Sequence, residues 1–259
     1  MTEITVCLTF DYDAESVQIR REEEPVRISK GHFAVRRGIP RILSLLEKYE
    51  IPATFFVCGW VVEKYPESIQ EIIQAGHELA AHGYLHEELD KLSIEEEKTV
   101  HEKTFQAFEN IGIDVKGFRA PYWKLSNFTL EIISEKGCIY DSSLMADDRP
   151  YLFQLEEDSP KIVEFPVEWF LDDWILFEEE LKPPSQILET WKKQFDALRT
   201  MEDIPEDYRV FNLTMHPACI GHAYRLIILE KLIEYLKSKG AQFSRMKDLA
   251  EKFLEKEKD

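Results

Sequence analysis

The sequence predicts an α/β chain in which strands and helices alternate to form a single (β/α) barrel. Three observations lead there. Short apolar runs alternate with segments of helical periodicity, the rhythm of parallel βα units. A length of 259 residues with 44% hydrophobic content suits one barrel-sized domain that needs no disulfide or structural metal. Residues able to do chemistry recur just after strand-like runs, and a parallel barrel gathers those strand ends on one face.

The first strand is residues 4–10. The charged stretch after it, with Arg20-Arg21-Glu22-Glu23-Glu24, reads as a solvated loop that covers a site. Ile39, Ile42, Leu43, Leu46 and Tyr49 then recur at the 3.6-residue period of a helix. Residues 53–57 form the second strand. Pro66 opens a helix with Ile69, Ile72 and Ile73 on one face and Gly76 past its end. Residues 78–81 are the third strand, and Ser93 with Glu96 has the capping-box spacing of a helix running to about Asn110. Gly117-Phe118-Arg119 marks a brief strand, residues 126–136 a helix closed by Gly137, and residues 138–140 another strand. Strands at 162–167 and 209–215 flank a helix centred on Trp191 and Phe195. A helix at about 224–239, ended by Gly240, leads to a short strand and a last helix at 246–255. No repeat, low-complexity tract or linker divides residues 1–259, so the chain reads as one catalytic domain.

The 32 basic and 50 acidic residues leave a net charge of −18, which argues against nucleic acid as a partner. Cys7, Cys58, Cys138 and Cys219 lie far apart without a CxxC pair and read as buried, reduced side chains. The start, Met1-Thr2-Glu3-Ile4, lacks the basic and apolar regions of a signal peptide, and no apolar run is long enough to span a membrane. A cytoplasmic protein with no membrane partner is the expectation.

Asp11 and Asp13 follow the first strand, His82 and His86 the third, and Arg119 ends the next. Asp172 and Asp173 come soon after residues 162–167, and His216 closes 209–215. Two imidazoles four residues apart reach one ion if the segment turns helically; two incidental histidines are the bland alternative. Two aspartates two apart on an extended strand point the same way, and their charges repel unless a cation or proton compensates. An Asp-rich turn is the competing reading.

With Arg119-Ala120-Pro121-Tyr122 and Leu213-Thr214-Met215-His216, these residues resemble the NodB-type polysaccharide deacetylase family, in family order from Thr9 to His216. The resemblance implies a distorted (β/α)7 barrel that hydrolyses C–N amide bonds, removing acetyl groups from N-acetylated sugars with a divalent metal. Zinc comes first, with Co²⁺, Ni²⁺ or Fe²⁺ as alternatives. It implies that Asp13, His82 and His86 hold the metal, that Asp11 is the general base and His216 the general acid, and that Arg119 braces Asp11. The Tyr122 backbone N–H would help bind the oxyanion, with Trp123, Asp172 and Asp173 on the substrate side. Two His and one carboxylate leave positions open for water and a carbonyl, and a poor amine leaving group needs a proton donor. Attack and departure occur on different sides of the carbonyl, which would set Asp11 and His216 on opposite sides of a cleft.

Tyr12 separates aspartates that are adjacent in most of the family, Ala14 stands where Gly is usual, and Gly83 where Ser or Thr is usual. Leu171-Asp172-Asp173-Trp174 matches the family's Asp–Trp motif loosely. These variants resemble a subgroup of signal-less peptidoglycan deacetylases and cyclic-amide hydrolases, imidases and allantoinase-like enzymes among them. That leaves two substrate classes, oligosaccharide amides and small cyclic amides or imides, and implies a homo-oligomer, dimer or tetramer. Two readings compete from other classes. An Fe(II) oxygenase uses the same ligand set, usually on an antiparallel β scaffold. A non-catalytic binding protein on the same barrel would have no need of every chemical role.

His77 reads as a structural histidine and His101 as exposed on a charged helix, while His32 and His222 lie in loops. Trp60, Trp123, Trp169 and Trp174 suit stacking on a ring or packing. Residues 16–33 and 147–157 exceed the roughly 2–6 residues of ordinary βα connections, so both are expected to narrow the site.

Overall fold

Residues 4–154 and 161–256 are described by the computed structural model. Alternation organises the first strand, β1 (Thr5–Tyr12). Val6, Leu8, Phe10 and Tyr12 join the large cluster under the helices, while Cys7 joins Phe56, Ala80, Tyr140 and Phe165 inside the sheet. A period of two leaves Thr9, Asp11 and Asp13 on the inner row with Cys7, climbing to the strand's C-terminal end.

β1 pairs in parallel with β2 (Thr54–Val57) and β8 (Val210–Met215). From β2 the sheet continues through β3 (Glu78–Ala81), β4 (Gly117–Phe118), β5 (Tyr140–Asp141) and β7 (Ile162–Glu164), all parallel. These seven strands are the expected barrel, and one seam distorts it. The outer edge of β7 is taken by an antiparallel strand, β6 (Tyr151–Phe153), and among the described residues no ladder joins β7 to β8. Asn212 spans the gap instead, its Nδ2 donating to the carbonyls of Phe165 (3.4 Å) and Pro166 (3.0 Å). An unpaired buried carbonyl there would cost about 1–3 kcal/mol.

The opposite end is plugged. β9 (Gln242–Phe243) pairs beside the start of β1, and α11 (Met246–Lys256) sends Met246, Leu249, Ala250 and Phe253 into the inner cluster. The Met246 and Lys247 N–H groups donate to Thr54 Oγ1 (2.9 Å) and Glu78 Oε2 (3.0 Å), at the first residues of β2 and β3. The C-terminal face of the strands stays open, the face on which parallel barrels carry their sites.

The periodic segments form helices as expected: α3 (Ile39–Tyr49), α5 (Pro66–Gln74), α6 (Ile94–Glu109), α7 (Thr129–Glu135), α8 (Pro184–Thr200) and α10 (Ala223–Ser238), with the short α4 (Gly59–Lys64) and α9 (Pro217–Ile220) following β2 and β8. The Ser93 capping box is made in both directions, Ser93 N–H to Glu96 Oε2 (2.9 Å) and Glu96 N–H to Ser93 Oγ (3.4 Å). All four cysteines are buried and unpaired. No helix among the described residues is long and apolar enough to cross a membrane.

Three expectations are corrected. The charged stretch after β1 is only partly loop: residues 21–24 form a largely solvated turn, but the segments around it fold as α1 (Ser16–Arg20) and α2 (Pro25–Phe33). These helices are too short to be stable alone and depend on docking. Gly31 permits it, since a Cβ there would stand 2.3 Å from the Glu15 nitrogen. His101 is fully buried rather than exposed, 3.5 Å from Glu97, which also accepts from the Ser126 and Thr129 hydroxyls. Residues 147–154 do not narrow the site: they turn away into β6 and line a separate groove with Tyr208 and Phe253, at the plugged end. Residues 155–157 of that segment lie outside the described residues.

Candidate active site

Asp11 and Asp13 leave β1 on one side because Tyr12 points the other way, its hydroxyl 2.9 Å from Ser68 Oγ in the helix layer. The chain then bends at Ala14, whose φ of 47° is left-handed. The run from His82 to His86 is not a helical turn. Gly83 (φ 70°) and His86 (φ 58°) are both left-handed, and the Glu87 carboxylate clasps the bend by accepting from Tyr84 N–H (2.9 Å) and Leu85 N–H (2.8 Å). A Cβ on Gly83 would lie 3.1 Å from Glu87 Oε2 and 3.1 Å from Pro121 Cγ, so Ser or Thr is disfavoured by both φ and contact.

The bend turns both imidazoles toward Asp13. His82 Nε2 stands 3.5 Å from Asp13 Oδ1 and His86 Nε2 3.7 Å from Asp13 Oδ2. Ligands about 2.1 Å from a common centre at tetrahedral angles stand about 3.4 Å apart. His82 Nδ1 donates to the Arg119 carbonyl (2.7 Å), which leaves the Nε2 lone pair facing Asp13. These three residues fit a divalent cation.

Asp11 is held from the other side. Arg119, fully buried, donates from Nη1 to Asp11 Oδ1 (2.7 Å) and Thr9 Oγ1 (2.9 Å), and is fixed by the Ser142 carbonyl (3.1 Å) and Oγ (2.9 Å). Burial opposes ionisation of Asp11, but Arg119, His82 and His216 outweigh it and hold the carboxyl below its usual range. On Asp13 burial wins and raises the carboxyl. His216 Nδ1 lies 2.8 Å from Asp173 Oδ1, which also accepts the His216 backbone N–H (3.0 Å). Burial would push His216 down, yet Asp172, Asp173 and Asp11 prevail and raise it to about 10. The charges around them thus favour the ionised form of Asp11 and the protonated form of His216. His216 Nε2 is 4.0 Å from Asp11 Oδ2, so the two are neighbours and not opposite walls, since they leave the adjacent strands β8 and β1.

The sequence profile of the family described as polysaccharide deacetylase matches residues 1–140. A peptidoglycan deacetylase of Helicobacter pylori is 33% identical, the match covering 98% of this chain and 97% of that protein. The chain belongs to the polysaccharide deacetylase family. A solved structure described as a polysaccharide deacetylase of Mycobacterium smegmatis superposes with a TM-score of 0.87 at 31% identity, covering 99% of this chain and 91% of its own. An allantoinase structure also gives 0.87, at 22% identity over 96% of this chain and 89% of its own, which speaks for the fold alone. The family's chemistry makes this chain a hydrolase of amide bonds.

The site residues open on a cavity of about 480 Å³, roofed by side chains of α1 and α2. Trp123, Trp169 and Trp174 form part of its wall, and Lys30 of α2 sits 4.0 Å over the Trp174 ring. Trp60 packs on Tyr65 instead. Tyr122 and Trp123 hold φ of 57° and 55°, and with Ala14 and His86 they make four left-handed non-glycine residues lining one cavity. Strain of this kind costs about 1–3 kcal/mol per residue and gathers at functional sites. Asp172 faces the cavity, raised to about 7 by burial, with its Oδ1 accepting Ile175 N–H (3.0 Å). Asp173, expected beside it on the substrate side, is instead fully buried behind His216. His77 packs on Phe55, and His222 stacks on Phe33 with centroids 4.1 Å apart. His32 of α2 is 3.5 Å from Glu15.

Sequence reasoning missed the serines after β5. Ser142 fixes Arg119, and Ser143 Oγ accepts Ala120 N–H (2.8 Å) at the start of the Tyr122 turn. Their position just past a strand end was the available signal.

Proposed function

We propose that this enzyme deacetylates short N-acetylated, peptidoglycan-type glycans, with residues 1–259 acting as one catalytic unit. Asp13, His82 and His86 would hold a divalent cation, zinc first. When bound, it would polarise the amide carbonyl and make its water more acidic. Asp11, kept ionised by Arg119, accepts the proton of the attacking water. His216, kept protonated by Asp172 and Asp173, donates to the departing nitrogen, and the Tyr122 N–H steadies the developing oxyanion. The observation that carries this reading is the placement of Asp11, braced by Arg119, and His216, braced by Asp173, 4.0 Å apart beside a two-histidine, one-carboxylate triangle in one cavity.

The cavity of about 480 Å³, narrowed by α1 and α2, also favours a second reading, a small cyclic amide, because clefts of this size hold compact ligands. The test sets N-acetylglucosamine oligomers and peptidoglycan fragments against succinimide, hydantoin and allantoin, with and without Zn²⁺ or Co²⁺. Acetate release from the glycans is expected. Ring opening alone would replace the deacetylase reading with the second.

A further inference from the structure

The chain carries a net charge of −18, yet one rim of its cavity is basic. Arg20 and Arg21, at the end of α1, and Lys124, just past the Tyr122 turn, gather around the Tyr122 ring. Arg20 Nη2 donates to the Tyr122 hydroxyl (3.3 Å), and Arg21 Cζ and Lys124 Nζ lie 5.2 Å and 5.7 Å from the ring centroid. A single carboxylate serves them all. Glu88 is 2.6 Å from Lys91, 3.1 Å from Lys124, 3.7 Å from Arg21 and 4.0 Å from Arg20.

Among the described residues these four cations share Glu88 as their carboxylate partner within 4.0 Å, and Arg21 and Lys124 of the four line the cavity, with Glu23 beside them. Arg21 and Lys124 both line the cavity with side chains 44% exposed, so pairing with Glu88 does not bury either. The lid adds Arg27 and Lys30 against Glu23, although Lys30 is engaged by Glu178 (2.7 Å) and Arg27 faces Glu24 (3.8 Å). Like charges gathered this closely repel, in a protein with acidic residues to spare. A ligand that brings negative charge resolves the mismatch. Glu88 itself shows that the cluster accommodates a carboxylate.

We propose that this rim binds a carboxylate borne by the substrate near its N-acetylated sugar, so that the enzyme selects acidic glycans over neutral ones. The proposal rests on the deacetylase reading of the site. Arg21 offers a planar fork of donors and Lys124 a mobile point charge, while Glu88 acts as the internal competitor that keeps both in place.

The test uses the full chain, loaded with metal, and two probes: an N-acetylated disaccharide bearing one carboxylate, and its methyl ester. Both kcat/KM and Kd are measured for each. The acid should be favoured roughly five- to tenfold at low salt, in KM and not in kcat, and the preference should vanish near 1 M salt. Arg21→Gln and Lys124→Gln should each shrink the acid-to-ester ratio, whereas Glu88→Gln should raise it. A wild-type ratio near one, a ratio unmoved by both cation variants, or a ratio lowered by Glu88→Gln overturns the proposal. If neither probe is hydrolysed, the deacetylase reading fails, and the calorimetric Kd pair still decides the rim. Tighter binding of the acid upholds it and equal binding overturns it.

Discussion

Asp173→Asn tests how the proton is kept at His216. Asp173 is fully buried, and its Oδ1 meets both His216 Nδ1 (2.8 Å) and the His216 backbone N–H (3.0 Å). Burial lowers His216, but Asp172, Asp173 and Asp11 raise it from 6.5 to about 10. A rise of roughly 3.5 units corresponds to about 5 kcal/mol in favour of the imidazolium. Burial works against that rise, so the three carboxylates together supply more than the net, and Asp173 adds a charge-assisted hydrogen bond to its charge. Removing its charge should lower His216 by about one to two units. A raised pKa means the acid is competent below it and fails as pH rises through it. By the same linkage His216 stabilises the fold fully below about pH 6.5 and loses that contribution as pH climbs toward 10. A bound dication would lower His216 in wild type and variant alike, so the two are compared at equal metal content. In a profile of kcat against pH, the alkaline limb should move down by about one to two units in Asp173→Asn. Turnover at neutral pH should fall roughly 10–100-fold, since the imidazole loses its orientation as well as its charge partner. A folded variant whose alkaline limb stays put would show that His216 is not the group holding the proton.

Three further outcomes follow from the same geometry. His82→Ala and Asp13→Asn should each abolish stoichiometric metal uptake in elemental analysis and lower turnover by at least about 100-fold, with no recovery on added Zn²⁺. Gly83→Ala should cost about 1–2 kcal/mol in denaturant unfolding and weaken metal affinity, because a Cβ at φ 70° presses on the Glu87 clasp; an unchanged metal titration would contradict the role given to that bend. Ala14→Gly should raise unfolding stability by about 0.5–1 kcal/mol, since relief of a left-handed alanine exceeds the added chain entropy; a loss of stability would show that the strain at φ 47° is not real.

Much of the site was legible because its determinants are local. A period of two along β1 puts Asp11 and Asp13 on one row whatever surrounds the strand, and the parallel βα rhythm sends the ends of β1, β3, β4 and β8 to one face. The residues that meet at the cavity could thus be named before their contacts were known. What the chain's local pattern does not encode is which side chains become neighbours across long separations. α1 and α2 look like solvated loop because their order comes from docking on the Ala14–Glu15 backbone through Gly31, a contact with no local signature. His101 sits in a charged stretch of α6, yet it is buried against Phe105 and the distant Phe118, beside a Glu97 that the far Ser126 and Thr129 hydroxyls hold. Asp172 and Asp173 are adjacent, and only the fold sends one to the cavity and the other behind His216, 43 residues away. By itself the sequence determined the barrel, the face that carries the chemistry and the residues gathered there, since periodicity and strand direction are properties of short segments. Tertiary structure alone decided burial and pairing, and with them which carboxylate stays ionised and which imidazole stays protonated, because both depend on charges brought together from distant parts of the chain.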